Sequence, residues 1–160
     1  MTKAQIIDAL EPYFSVKELV CPHTYARHGE KSWLFLQTPL LHTLLVLRTD
    51  ILNVPLLCNN WAKVGGQYSQ RGLRCNLCDE VKKKHTDLGT VYLSAHTQGL
   101  AVDLSSSKMT AEEMRKKIYA NAAKLPYPVR VEDNGDGTPT WLHIDCYDTA
   151  TGKKITTFKV

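Results

Sequence analysis

Ser94-Ala95-His96-Thr97-Gln98-Gly99-Leu100-Ala101-Val102-Asp103 places a histidine and an aspartate seven positions apart, on either side of a glycine. On one helix that separation is a rise of about 10 Å. On one straight strand it is about 23 Å. The ligands of a single zinc ion must converge on bonds of about 2 Å. Neither regular element therefore lets His96 and Asp103 share a metal. They can do so only if the chain turns between them, and Gly99 sits where such a turn would fall. Beyond it, Ala101 and Asp103 share one face of a strand, with Leu100, Val102 and Leu104 on the other.

A second segment, Trp141-Leu142-His143-Ile144-Asp145, puts Trp141, His143 and Asp145 on one strand face. His96, Asp103 and His143 together offer two neutral imidazoles and one carboxylate. Such a set leaves the fourth position of a zinc ion open, which is the plan of a catalytic site; a structural zinc closes all four. Asp145 is either an orienting partner for an imidazole or a turn stabiliser. Trp141 reads as core packing, with the floor of a cleft as its other role.

Working outward, residues 3–11 read as a short helix. Ser15-Val16-Lys17-Glu18 is a capping box that opens a second helix ending near Cys21-Pro22. Leu40, Leu41, Leu44, Leu45, Leu47 and Ile51 form the apolar stripe of a buried helix over 38–52, with His42 as a packed or surface imidazole. Pro55 to Cys58 and Val91 to Leu93 read as strands. Thr110 to Glu113 caps a helix running to about Lys124. Pro128 to Glu132 and Thr140 to Cys146 read as a hairpin across a turn-rich segment, 133–139. Lys154 to Phe158 adds an edge strand. Helices come first and strands mostly later, so the expected class is α+β with an antiparallel sheet.

The 160 residues suit one compact domain with its own core. Hydrophobic residues at 43% and charged residues at 22% argue against wholesale disorder. The formal charge is +4, and Lys82-Lys83-Lys84 is the only dense basic run. It reads as a solvated helix face rather than a nucleic-acid stripe, so no nucleic-acid partner is expected. A weakly basic surface does suit an anionic polymer such as a cell wall. Residues 1–8 lack the apolar segment of a signal peptide, and the longest apolar stretch, Leu40 to Leu47, is too short to span a bilayer. The expectation is a soluble monomer made in the cytoplasm, with no transmembrane segment, that acts on the cell wall if released or delivered there.

The five cysteines are Cys21, Cys58, Cys75, Cys78 and Cys146. An odd count without an export signal argues against a disulfide framework. Cys75-Asn76-Leu77-Cys78 has the spacing of half a zinc ribbon, but no second half follows. Cys21 with His23 could complete a structural site only through a long-range contact, and lone CxxC pairs are commonly plain thiols. His23, His28 and His85 match no motif and read as surface or packing histidines.

SxHxxGxAxD followed by WxHxD resembles the zinc D-Ala-D-Ala carboxypeptidases and their relatives, among them phage cell-wall endopeptidases and the hedgehog signalling domain (the LAS metallopeptidases). Ser94, His96, Gly99, Ala101 and Asp103 match every fixed position of the first motif, and the resemblance covers about residues 13–147. It implies one zinc peptidase-like domain over 1–160, with a central antiparallel sheet and helices packed mainly on one side. It implies a Zn2+ ion on His96, Asp103 and His143, and peptidoglycan stem peptides as substrate. The family's upstream Ser-Gly-x-Arg turn corresponds to Arg71-Gly72-Leu73-Arg74, where Arg74 matches the family arginine and Arg71 replaces the serine. A guanidinium there suits a peptide carboxylate, gripped by two parallel bonds.

Many relatives carry a glutamate three residues before the second zinc histidine; here that position is Thr140, which cannot act as a base. Others place the acid further upstream, which resembles Glu132 here. Glu132 serves if it shares a face with His143, as it does when opposite Trp141 and does not when opposite Thr140, and the former register is expected. Asp136 is the fallback. The implied activity is hydrolysis of a stem-peptide amide bond, by a carboxypeptidase or endopeptidase, in a phage or prophage lysis role. The alternatives are a non-catalytic zinc-containing binding or virion structural module of the same fold, and a nucleic-acid-binding zinc protein built around Cys75 and Cys78.

Overall fold

The computed structural model describes residues 1–147 and 149–160. The N-terminal third is helical: α1 (Lys3–Leu10), α2 (Val16–Leu19), α3 (Pro22–His28) and α4 (Thr38–Val46). Each start has a local cause. Thr2 and Gln5 form a capping box before α1, and the Ser15 amide donates to Glu18 Oε2 before α2. Pro22 opens α3, where a missing N–H costs nothing. The stripe expected over 38–52 is α4 continued by a π-type turn over Leu47–Ile51.

The second half carries α5 (Asp79–Lys82), β1 (Ala101–Leu104), α6 (Ala111–Ala120), β2 (Val129–Glu132), β3 (Leu142–Asp145) and β4 (Ile155–Phe158). The strands form one sheet in the order β1-β3-β2-β4. The class is α+β, as expected, but the sheet is mixed rather than antiparallel, because β4 runs parallel to β2. The chain reverses after β3 and passes β2 to reach its outer edge. A strand opposed to β3 is necessarily parallel to β2, which itself opposes β3. Residues 55–58 and 91–93 are not strands. The former contributes a single bridge, Leu57 to Ser105, and Val91 and Leu93 are exposed.

One sheet face is apolar and one is chemical. Val102, Leu104, Leu142, Ile144, Val129 and Val131 join helix residues such as Ile6, Leu10, Leu41, Leu44 and Ile118 in one buried cluster. The opposite face presents two rows across the strands. Asp103 pairs with His143, and Ala101 with Asp145, which in turn pairs with Arg130 and, beyond it, Thr156. No helix is long and apolar enough to cross a membrane among the described residues.

Gly99 makes the turn between His96 and Asp103. Its φ is +68°, and a Cβ there would lie 2.1 Å from the Phe35 carbonyl oxygen. Its own carbonyl accepts from the Gln37 amide at 2.9 Å, tying the turn to the entry of α4. Gly99→Ala is expected to cost about 2–5 kcal/mol through left-handed strain and the clash with backbone. The melting temperature should fall by roughly 5–15 °C; a melt within a degree of the parent protein would contradict this role.

Candidate metal centre

His96, Asp103 and His143 come together. Each offers one ligand atom within 4.8 Å of the others, and all three side chains are buried. The turn at Gly99 brings His96 back to the start of β1, while the β1–β3 register sets Asp103 directly across from His143. His143 Nδ1 lies 2.8 Å from Asp103 Oδ1, and His96 Nε2 lies 3.4 Å from Asp103 Oδ2.

The outward nitrogen of each imidazole is also occupied. His96 Nδ1 sits 2.9 Å from the Gly72 carbonyl oxygen, and His143 Nε2 sits 3.1 Å from Asp145 Oδ2. Both partners are acceptors, so each of those nitrogens carries the proton. That leaves His96 Nε2 and His143 Nδ1 with lone pairs facing Asp103 once His143 is neutral, which is how metal-binding imidazoles are held in one tautomer. Gly72 can approach closely because it lacks a side chain: a Cβ there would meet the Leu19 carbonyl oxygen at 2.1 Å.

The electrostatics agree with a centre built for a cation. Burial by itself would raise the Asp103 carboxyl, but the His143 and His96 imidazoles beside it hold it well below the usual carboxylate range. Burial lowers His96, and Asp103 opposes this only in part. Burial would likewise lower His143, but its bonds to Asp103 and Asp145 overcome this and lift it to about 9. A protonated His143 shares the balancing of these carboxylates with Arg74 on Asp103 and Arg130 on Asp145. A metal ion bound among the three side chains would displace that proton.

Asp145 serves both roles left open for it. It accepts from His143, and Tyr147 N donates to its Oδ1 at 3.0 Å. Arg130 grips it with two 2.9 Å bonds and stacks against the Tyr147 and Phe158 rings. Arg130 went unrecognised in the sequence, where its alternation in β2 with Glu132 was the available signal. Asp145→Asn is expected to weaken metal binding by about 10–100-fold, the usual cost of disturbing a partner that orients a ligand. Competition with a chelating dye measures it, and a change under twofold would contradict the assignment.

A cleft of about 520 Å³ opens over this face. The three candidate ligands, Glu132, Arg74, Arg130 and Trp141 all line it. The β2–β3 pairing runs from Arg130 with Asp145 to Val131 with Ile144, and one further step in that register would set Glu132 opposite His143. That corrects the expected partner, Trp141, by two residues, and an even shift keeps Glu132 on the metal face. Trp141 is not a core residue; it is 37% exposed at the cleft. Thr140 lines a different cavity, beside Ser105 and Met109. The Asp136 carboxylate is turned back onto Thr138 in its own loop, so the fallback base does not reach the cleft.

The two arginines separate. Arg74 Nη2 lies 3.2 Å from Asp103 Oδ2, and the residue also borders a larger cavity of about 710 Å³ on its other side. Arg71 borders a neighbouring pocket with Arg74 and Trp141 instead. Its guanidinium stacks 3.5 Å from the Tyr68 ring centroid and donates to Ser105 Oγ.

No family model, curated protein or solved structure matches this chain. The site therefore rests on its own residues. Arg115, from α6, is one that sequence reading passed over. It is fully buried and donates to the carbonyls of Gly137, Pro139 and Trp141, holding the segment that leads into β3 and His143.

Proposed function

We propose that this chain is a zinc peptidase that hydrolyses an amide bond in bacterial peptidoglycan stem peptides, as the resemblance to the D-Ala-D-Ala carboxypeptidase and hedgehog-like family implies. One observation carries the reading. Two imidazoles with their distal nitrogens already engaged converge with a carboxylate at the wall of a cleft that an acid and an arginine also line. Two histidines and an aspartate suit zinc, and with three protein ligands one position stays open. His96, Asp103 and His143 would hold the zinc, which would supply Lewis-acid polarisation of the scissile carbonyl and a more acidic water.

The chain's own residues do the rest. Glu132, in the same cross-strand row as His143, takes the proton of the attacking water and delivers it to the leaving amine. Arg74 binds a carboxylate of the peptide. Arg71 braces the loop that carries Arg74 through its stacking on Tyr68. Asp145 keeps His143 in the ligating tautomer.

A non-catalytic metal module of the same fold is the competing reading, and Thr140 in place of the more usual glutamate is what favours it. Incubating the protein with purified peptidoglycan, with and without a chelator, separates the two. The peptidase releases new amino groups only when metal is present and regains activity when zinc is restored. A metal-loaded protein that releases none is the module.

A further inference from the structure

We infer that Cys21, His23, Cys75 and Cys78 hold a second metal ion, a structural zinc or another thiophilic divalent cation, which clasps residues 75–93 to the helical half of the domain. The four ligand atoms lie within 4.8 Å of one another. Cys75 Sγ and Cys78 Sγ are 4.0 Å apart, and Cys78 Sγ is 3.9 Å from His23 Nδ1. Zn–S bonds of about 2.3 Å in a tetrahedron put neighbouring sulfurs about 3.8 Å apart. A disulfide needs about 2.05 Å, and all five cysteines are free. Three thiolates and one imidazole close all four positions, so this centre has no place for a substrate, unlike the one on the sheet.

The backbone is arranged for the same end. Leu73 N donates to Leu19 O and Cys21 N to Leu73 O, a two-bond bridge that sets the 21–23 pair beside the 75–78 pair. Within the second pair, Cys78 N donates to Cys75 O at 3.1 Å and Leu77 N approaches Cys75 Sγ at 3.4 Å. This tight turn aims both sulfurs one way and supplies an N–H to a thiolate. His23 occupies the first turn of α3, which Pro22 starts.

The need for a clasp is visible in the packing. The cluster around these residues contains only Cys21, Cys78 and Val81, with Cys75 and Tyr92 against it. Leu77, Leu88, Val91 and Leu93 are all exposed. So small an apolar cluster does not order a segment of this length, and a structural metal is the usual substitute for a missing core. Cys58 and Cys146 differ in kind. They lie in the main core, where burial pushes the Cys146 thiol up to about 12 and Cys58 higher still. The clasp also has a consequence for the first centre, because Gly72 and Arg74 flank the same bridge.

The test uses the whole chain loaded with cobalt(II) as the probe. His143→Ala, which removes a ligand of the sheet centre, should keep one cobalt with an intense thiolate-to-cobalt charge-transfer band. Cys75→Ser should lose at least tenfold of that band. A His143→Ala protein binding cobalt with no such band would overturn the proposal. Because Cys75→Ser could unfold, a second measurement uses the unaltered zinc-loaded protein under native conditions. Cys21, Cys75 and Cys78 should alkylate at least tenfold more slowly before chelation than after it. Equal rates would overturn the proposal as well.

Discussion

Glu132→Gln should lower peptide hydrolysis by about 10²–10⁴-fold, the range lost with a positioned general base, while the protein keeps its metal. The replacement preserves size and removes only the ability to accept a proton. Glu132 sits at the end of β2, where the sheet continues the row that holds Asp103 and His143. It lines the cleft without belonging to the ligand set. Zinc content by elemental analysis and initial rates on stem peptides are the two readouts. Retained zinc with unchanged rates would remove Glu132 from the mechanism. Loss of zinc in this variant would instead make it a ligand, which its place outside the converging set argues against.

His143→Ala should have the larger effect on the metal itself. It removes the Nδ1 donor and leaves Asp103 and Asp145 facing one another without the cation between them. Affinity at the sheet centre should fall by more than about 100-fold, beyond the ceiling for disturbing an orienting partner such as Asp145, and hydrolysis should fall to background. The fold should survive, because His143 faces the cleft while Leu142 and Ile144 on either side fill the core. Circular dichroism checks the fold, and equilibrium dialysis against buffered zinc checks the affinity. Undiminished binding at the sheet centre would contradict the assignment.

These expectations depend on features of unequal visibility in the sequence. The turn at Gly99 was readable because two ligands seven residues apart cannot meet on any regular element. The alternation in 141–145 was readable because the strand period is two. The register of the hairpin was harder. Arg115 takes up the carbonyls of Gly137, Pro139 and Trp141, so β3 begins at Leu142 rather than at Thr140, and the pairing lies two residues from the expected one. Nothing local to either strand announces a buried arginine from α6. The long-range contact that Cys21 and His23 would need was beyond local reading for a similar reason: Cys75 and Cys78 arrive through the Val20–Leu73 bridge, about fifty residues further along the chain. The parallel edge made by β4 is likewise a matter of where the chain returns, which alternation in 154–158 does not encode. Parity survived these shifts, and so the chemical face was recovered although individual partners were not.

Under the proposed function, the cleft over His96, Asp103 and His143 hydrolyses an amide bond of the cell-wall peptide. Mass spectrometry of peptidoglycan fragments digested by the zinc-loaded protein tests it most directly. New fragments are expected, each displaced by the mass of one water across a single type of stem-peptide bond, absent after chelation and in the Glu132→Gln variant. An unchanged fragment spectrum from protein shown to carry its zinc would contradict it.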